Sequence, residues 1–92
     1  MSVWSECYGT IQMTKDSGFS VKKAWKSLYD EVIVGHAEVI RTGKLDCVFT
    51  EFRVSFSLEG LEAAKMIDQF VISLMSTKGY IHSQIESNIR FT

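Results

Sequence analysis

The chain has 92 residues, fewer than the commonest single-domain size, and its 46% hydrophobic and 12% aromatic content is enough to bury one core. Ten basic against eleven acidic side chains leave a formal net charge of −1, which excludes a global field that would attract nucleic acid or an anionic membrane. No apolar run approaches the roughly 20 residues that span a bilayer, and we expect no secretion leader, because the first residues lack its charged and apolar pattern. We therefore expect one domain over residues 1–92, with no membrane association.

The first half of the chain predicts a strand, a helix and a second strand. Residues 3–13 alternate between apolar and polar side chains, as a half-buried strand does. Turn residues follow at positions 14–18, and Ser20 is a candidate N-cap for an amphipathic helix. Residues 32–40 are mainly apolar and rich in β-branched side chains, which is typical of a strand. The helical stripe between these strands consists of Val21, Ala24, Trp25 and Leu28.

The second half predicts the same pattern again. Thr42 and Gly43 indicate a hairpin turn, after which residues 45–56 resume the two-residue period. A second helix is expected to begin within residues 57–60 and to end at Gly79. The buried stripe predicted for it consists of Leu61, Ala64, Ile67, Val71, Leu74 and Met75. The final strand, residues 81–91, shows the clearest alternation, with the isoleucines and Phe91 on the predicted core side.

The element order is therefore β-α-β followed by β-α-β. This order resembles the ferredoxin-like βαββαβ sandwich, an α+β fold with a four-stranded antiparallel sheet and two helices on one face. The resemblance implies the strand order 4-1-3-2, and it leaves the other sheet face free for solvent or a partner. A fold that serves so many purposes implies no particular function.

The hairpin turn sets which residues the uncovered face presents. A two-residue turn would place Ile40 opposite Leu45, His36 opposite Phe49 and Val34 opposite Glu51. The core residues that this register predicts are Ile33, Ala37, Val48, Phe52, Val54 and Phe56. The predicted interface residues are Trp4, Tyr8, Val34, His36, Phe49, Glu51 and Arg53. Two alternatives stay open: a register shifted by one residue, or a loop or tail that covers the aromatic side chains.

The sequence contains no recognisable catalytic or cofactor-binding motif. It has neither a G-x-S-x-G elbow nor a phosphate-binding glycine loop. His36 and His82 are predicted on opposite edge strands, roughly 14 Å apart, which is too far for shared zinc ligands. Cys7 and Cys47 are predicted on opposite sheet faces, so we expect no disulfide between them. We accordingly expect no catalytic residue, metal or cofactor, and a reducing, cytoplasmic location.

The expected function is that of a non-enzymatic protein-binding module that acts by occlusion through the helix-free face, as an inhibitor, immunity-type, anti-defence or adaptor protein. A protein partner is expected, and a homodimer is a further expected assembly. One alternative is a nucleic-acid-binding module in which bases would stack on Tyr8 and Phe49 beside Arg53 and Arg90. The composition does not favour it, because Glu51 beside Phe49 repels phosphate. A small enzyme with an unrecognised site is the other alternative.

Overall fold

The computed structural model describes residues 3–41 and 46–91. Its four strands form one antiparallel sheet in the order β2-β3-β1-β4, which confirms the predicted ferredoxin-like α+β fold and its strand order. Neither helix in these ranges has the length and apolar character that crossing a bilayer requires. The elements in chain order are β1 (Ser5–Thr14), α1 (Val21–Leu28), β2 (Ile33–Arg41), β3 (Cys47–Phe56), α2 (Gly60–Met75) and β4 (Tyr80–Asn88).

The core lies between one face of the sheet and both helices. Trp25 of α1 is its centre: the indole ring stacks on Phe70 of α2, with centroids 4.3 Å apart, and on Phe56 of β3 at 5.7 Å. Phe70 in turn contacts Phe52 at 5.6 Å. Aromatic pairs at these distances stabilise a core beyond their buried area alone. The ring cluster therefore fixes both helices over the same sheet face.

Helix α1 begins where the sequence predicts. The side chain of Ser20, whose backbone is extended, accepts a hydrogen bond from the backbone N–H of Lys23 at 3.3 Å and so caps the helix. Near the other end, the ammonium of Lys26 donates to the carbonyl oxygen of Val32 at 2.7 Å. This bond joins the helix to the residue just before β2, which sets where the strand enters the sheet.

The buried stripe of α2 differs from the predicted one. Leu61 and Met75, which were expected in the core, are 77% and 60% exposed. The residues that α2 buries are Ala63, Ile67, Phe70 and Leu74. The helix is apolar on more than one side, so its sequence alone does not fix its rotation. The rotation follows from Phe70, which packs between Trp25 and Phe52.

The predicted hairpin register is wrong by four residues. Phe49 faces Ile40, and His36 faces Arg53. Arg41 lies opposite Val48, so six residues connect the paired positions instead of two. The predicted turn at Thr42 and Gly43 lies outside the described residues, and so does Leu45, the predicted partner of Ile40. The observed pairing of Ile40 with Phe49 nevertheless excludes the predicted register. An even shift keeps each side chain on its predicted face, and so His36, Phe49, Glu51 and Arg53 remain together.

A bulge near the start of β2 exchanges the faces of two residues. The register shifts between Val34 and His36, so that Val34 pairs with Val54 and Ile33 pairs with Ser55. Val34, a predicted interface residue, therefore packs against the core, whereas Ile33, a predicted core residue, is 50% exposed on the other face. The extra residue is Gly35. Simple alternation cannot anticipate this exchange, because a bulge adds one residue to one strand only.

Strand β4 contributes less to the core than its alternation predicts. A second bulge, between Gln12 and Met13 of β1, makes Tyr80 the partner of Met13. Tyr80 and Ile85 pack against the core, while Ile81 is exposed and Phe91 lies beyond the end of the strand, also exposed. The predicted core side is therefore correct for Ile85 and for Ile89, which also packs against the core, and wrong for Ile81 and Phe91.

Candidate protein-binding face

We call the sheet surface opposite the helices the helix-free face. The register places its side chains in rows that cross all four strands. The central rows, read from β2 to β4, are His36, Arg53, Tyr8 and Glu86; Glu38, Glu51, Thr10 and Gln84; and Ile40, Phe49, Gln12 and His82. A further row contains Ile33, Ser55, Glu6 and Asn88.

Arg53 is held by two neighbours on β1. Its guanidinium Nη1 lies 3.1 Å from Oε2 of Glu6, and its Cζ lies 4.8 Å from the centre of the Tyr8 ring. The ion pair neutralises the arginine, and the cation–π contact keeps the tyrosine ring flat beneath it. Both contacts are solvent-exposed, so each contributes at most about 1 kcal/mol of stability. Their effect is to fix the shape of the face at this point.

His36 lies beside two carboxylates. Its Nε2 is 3.3 Å from Oε1 of Glu51 and 3.8 Å from Oε2 of Glu38. Glu38 and Glu51 are direct cross-strand partners, and like charges in that position repel. The imidazole can therefore donate a hydrogen bond to one carboxylate, at a position where two negatively charged side chains lie close together.

The helix-free face carries more acid than base. The described strands contain no lysine, and Arg53 is the arginine that their register places on this face. Arg90 lies two residues beyond the end of β4 and is exposed. The carboxylates on this face are Glu6, Glu38, Glu51 and Glu86. Because Arg53 is already paired with Glu6, the paired strands, as far as the structure describes them, hold no unpaired lysine or arginine on this face, and their carboxylates would repel a phosphate backbone.

Two grooves indent this face. The larger has a volume of about 460 Å³ and is lined by Tyr8, Gly9, Thr10, His36, Glu51, Phe52 and Arg53. The smaller, of about 190 Å³, is lined by Thr10, Gln12, Phe49, His82 and Gln84. Thr10 borders both grooves, so they form neighbouring depressions along β1.

Five of the seven predicted interface residues lie around these grooves. Tyr8, His36, Glu51 and Arg53 line the larger groove, and Phe49 lines the smaller one. Trp4 lies one residue before β1, outside the paired register, and is 37% exposed. Val34 lies on the opposite side of the sheet, as described above.

The sequence-based prediction missed several residues that border the grooves. Thr10 and Gln12 lie on β1, and His82 and Gln84 lie on β4, where they face the same side as Tyr8 and Phe49. The alternation of both strands contained this information. The signal was overlooked because these side chains are polar and the prediction selected aromatic and charged groups.

The two cysteines are free and lie on opposite faces, as predicted. Cys47 is on the helix-free side, where its Sγ accepts a hydrogen bond from Nε2 of Gln12 at 3.2 Å. Cys7 is in the core, and burial raises its pKa to about 12. Its thiol is consequently protonated at neutral pH and is not a nucleophile.

In residues 3–41 and 46–91, no three His, Cys, Asp or Glu side chains come together as they would need to in order to hold a metal ion. His36 and His82 occupy the opposite edge strands β2 and β4, as predicted.

Comparison with known proteins supports the fold only. No protein-family model matches the chain, and no curated protein matches it either. A solved structure, the de novo designed protein Foldit4, superposes with a TM-score of 0.58 at 12% sequence identity and covers 98% of this chain and 99% of its own. At this identity the likeness extends to the arrangement of helices and strands, and it implies no shared function.

Proposed function

We propose that this protein is a non-enzymatic protein-binding module that acts by occlusion, as an inhibitor, immunity-type, anti-defence or adaptor protein, and that it binds through the helix-free face. The observation that carries the proposal is the pair of neighbouring grooves lined by Tyr8 and Phe49 on the sheet face opposite the two described helices. Aromatic anchors beside polar and charged groups are the composition that protein interfaces use.

The charge of the face supports a protein partner over nucleic acid. Four glutamates lie on the helix-free face, and Arg53 is paired with Glu6. Neutralising phosphate charge requires free lysines or arginines. The two free thiols, one of them in the core, support a cytoplasmic location, since reducing compartments keep cysteines in this state.

The proposal is tested by affinity capture from the native host with three matched baits. The wild type is compared with Phe49→Ser on the helix-free face and with Leu61→Ser, which removes an exposed apolar side chain from α2. We expect a stoichiometric protein that is captured by the wild type and by Leu61→Ser but is lost with Phe49→Ser. Circular dichroism of each bait controls for folding.

Two results would contradict the proposal. One is capture that is lost equally with both variants or with neither, since the helix-free face would then have no special role. The other is specific binding of single-stranded RNA with a steep salt dependence, which would favour the nucleic-acid alternative. Sedimentation of the free protein measures in the same series whether a second copy occupies the face.

A further inference from the structure

Strand β2 presents an unusually open edge. It lies at one end of the sheet, and within the described residues only β3 pairs with it. All six residues 35–40 are exposed. The apolar side chains among them point to both sides: Val39 is 53% exposed on the helix side, and Ile40 is 43% exposed on the helix-free face.

The helix layer ends before it reaches this part of β2. Ala37 and Val39 lie directly opposite Phe52 and Thr50 of β3, and both of these β3 residues are buried. Ala37 and Val39 are exposed although they occupy the same side of the sheet. The helices therefore cover β3 and leave the adjacent apolar positions of β2 uncovered. These positions form an exposed apolar strip at the edge of the sheet.

The opposite edge strand is protected in a way that β2 is not. Apart from Ile81 at its bulged end, the exposed residues of β4 are polar, and polar edges discourage another chain from pairing. Strand β2 instead exposes the aliphatic side chains of Val39 and Ile40, and its bulge at Gly35 leaves residues 36–40 in regular pairing with β3. Of the two edges, β2 is the one whose residues suit the addition of a strand.

The charge at this edge defines the strand that would fit. Glu38 and Glu51 face each other across β2 and β3, and like charges in direct cross-strand pairs are unfavourable. A lysine or arginine opposite Glu38 on an added strand would relieve this repulsion. On the other side of the same strand, aliphatic side chains would cover Ala37 and Val39.

A second copy of the chain fits this edge poorly. A two-fold antiparallel pairing centred on Glu38 would place it opposite Glu38 of the other copy. A pairing centred on Val39 would place Ile40 opposite Glu38 and so would bring no cation to it. A pairing centred on Ala37 would include the bulge at Gly35 twice. Charge complementarity therefore favours a different chain.

We propose that the outer edge of β2 binds an extended segment of a partner protein whose residues alternate between lysine or arginine on one side and aliphatic side chains on the other. The segment adds a fifth strand to the sheet, with its cation next to Glu38 and its aliphatic side chains over Ala37 and Val39. The inference rests on the proposed function because the partner is a protein, but it concerns the edge of β2 and not the helix-free face.

The test uses a blocked synthetic peptide, Thr-Val-Lys-Val-Lys-Val-Thr, titrated into the isotope-labelled protein while backbone amide shifts are followed by NMR. We expect binding with a Kd near or below about 1 mM and the largest shifts at residues 36–40. A peptide with glutamate in place of both lysines should bind about fivefold more weakly, because it adds a like charge beside Glu38. Alternate N-methylation of the lysine peptide, which keeps its charge but blocks strand pairing, should abolish binding.

Protein variants locate the site and separate the two proposals. Val39→Lys should abolish peptide binding, Glu38→Gln should remove the preference for lysine, and the matched Gln84→Lys on β4 should change little. Phe49→Ser should leave peptide binding unchanged, because Phe49 lies on the face and not on the edge.

The edge assignment would be overturned if millimolar peptide did not bind, or if the largest shifts lay on β4 or at Tyr8 and Phe49. The proposal for the helix-free face would not be affected, because the capture experiment tests it separately. A wild-type dimer that Val39→Lys dissociates would equally overturn the edge assignment, since the occupant would then be a second copy.

Discussion

Gly9 of β1 packs directly against the backbone of Gln84 in β4. A Cβ atom at Gly9 would overlap the carbonyl oxygen of Gln84 and would lie 3.0 Å from Cα of Ile85. Gly9 occupies a central strand, where glycine normally weakens the sheet. Its presence here permits the close approach of β4 and forms part of the larger groove.

We therefore expect Gly9→Ala to be strongly destabilising, by about 2 kcal/mol or more, because backbone atoms of β4 cannot move aside as a flexible side chain could. Gly35→Ala is the matched control, since the nearest atom to a Cβ at that position is 3.7 Å away. It should change the free energy of unfolding by less than about 1 kcal/mol. Urea denaturation of both variants measures the difference, and equal effects would contradict the close approach of β4.

Phe49 and Phe52 lie three residues apart on β3 and face opposite sides of the sheet. Phe52 is 1% exposed, whereas Phe49 is only partly buried, beside the smaller groove. We expect Phe52→Ala to cost about 3–5 kcal/mol of folding free energy, the usual result for a packed phenylalanine, and Phe49→Ala to cost less than half as much. Denaturation at low protein concentration makes this comparison on separated protomers. A core-sized loss at Phe49 would show that it has a structural role and would weaken its assignment as a binding anchor.

The indole N–H of Trp25 is buried and, within the described part of the chain, has no hydrogen-bond partner. An unsatisfied buried donor costs about 1–3 kcal/mol. Trp25→Phe removes this donor and keeps a ring against Phe70. The free energy gained by removing the unsatisfied donor should therefore offset much of the lost packing energy. We expect it to lower the free energy of unfolding by about 1 kcal/mol or less, against about 3–5 kcal/mol for Trp25→Ala. Similar losses from both variants would indicate that ring volume alone determines the cost.

The sequence predicted the fold because its local signals agree. The Ser20 cap, the stripe of Val21 and Trp25 and the alternation of β1 each point to the element that forms. These signals depend on neighbours along the chain and need no knowledge of tertiary contacts.

The errors arise where contacts between distant parts of the chain determine which side a residue faces. Gly35 adds one residue to β2, and this exchanges the faces of Ile33 and Val34 without any change in the hydrophobic pattern. The rotation of α2 depends on Phe70 meeting Trp25, a contact between elements far apart in sequence. For the candidate face, the aromatic and charged members were predicted, but their polar neighbours on β1 and β4 were not, because alternation shows which side of a strand a residue faces and not which polar residues border a groove.

The thiol of Cys7 makes stability depend on pH in the alkaline range. Burial raises its pKa from 9.0 to about 12 in the folded protein, so the folded state keeps a proton that the unfolded chain releases near pH 9. Between these two values the unfolded state binds fewer protons, and the free energy of unfolding therefore falls as pH rises. The slope approaches about 1.36 kcal/mol for each pH unit above pH 9, which gives a loss of about 2 kcal/mol between about pH 8 and pH 10.5.

Urea denaturation of the wild type and of Cys7→Ala at a series of pH values isolates this effect, since lysines and tyrosines that also titrate in this range are common to both proteins. Cys7→Ala is expected to be less stable at pH 8 because it removes a buried side chain. The difference between the two proteins should then shrink by about 2 kcal/mol as the pH rises to about 10.5. Parallel stability curves across the whole range would mean that Cys7 ionises equally easily in the folded and unfolded states, and would contradict the effect of burial on its pKa.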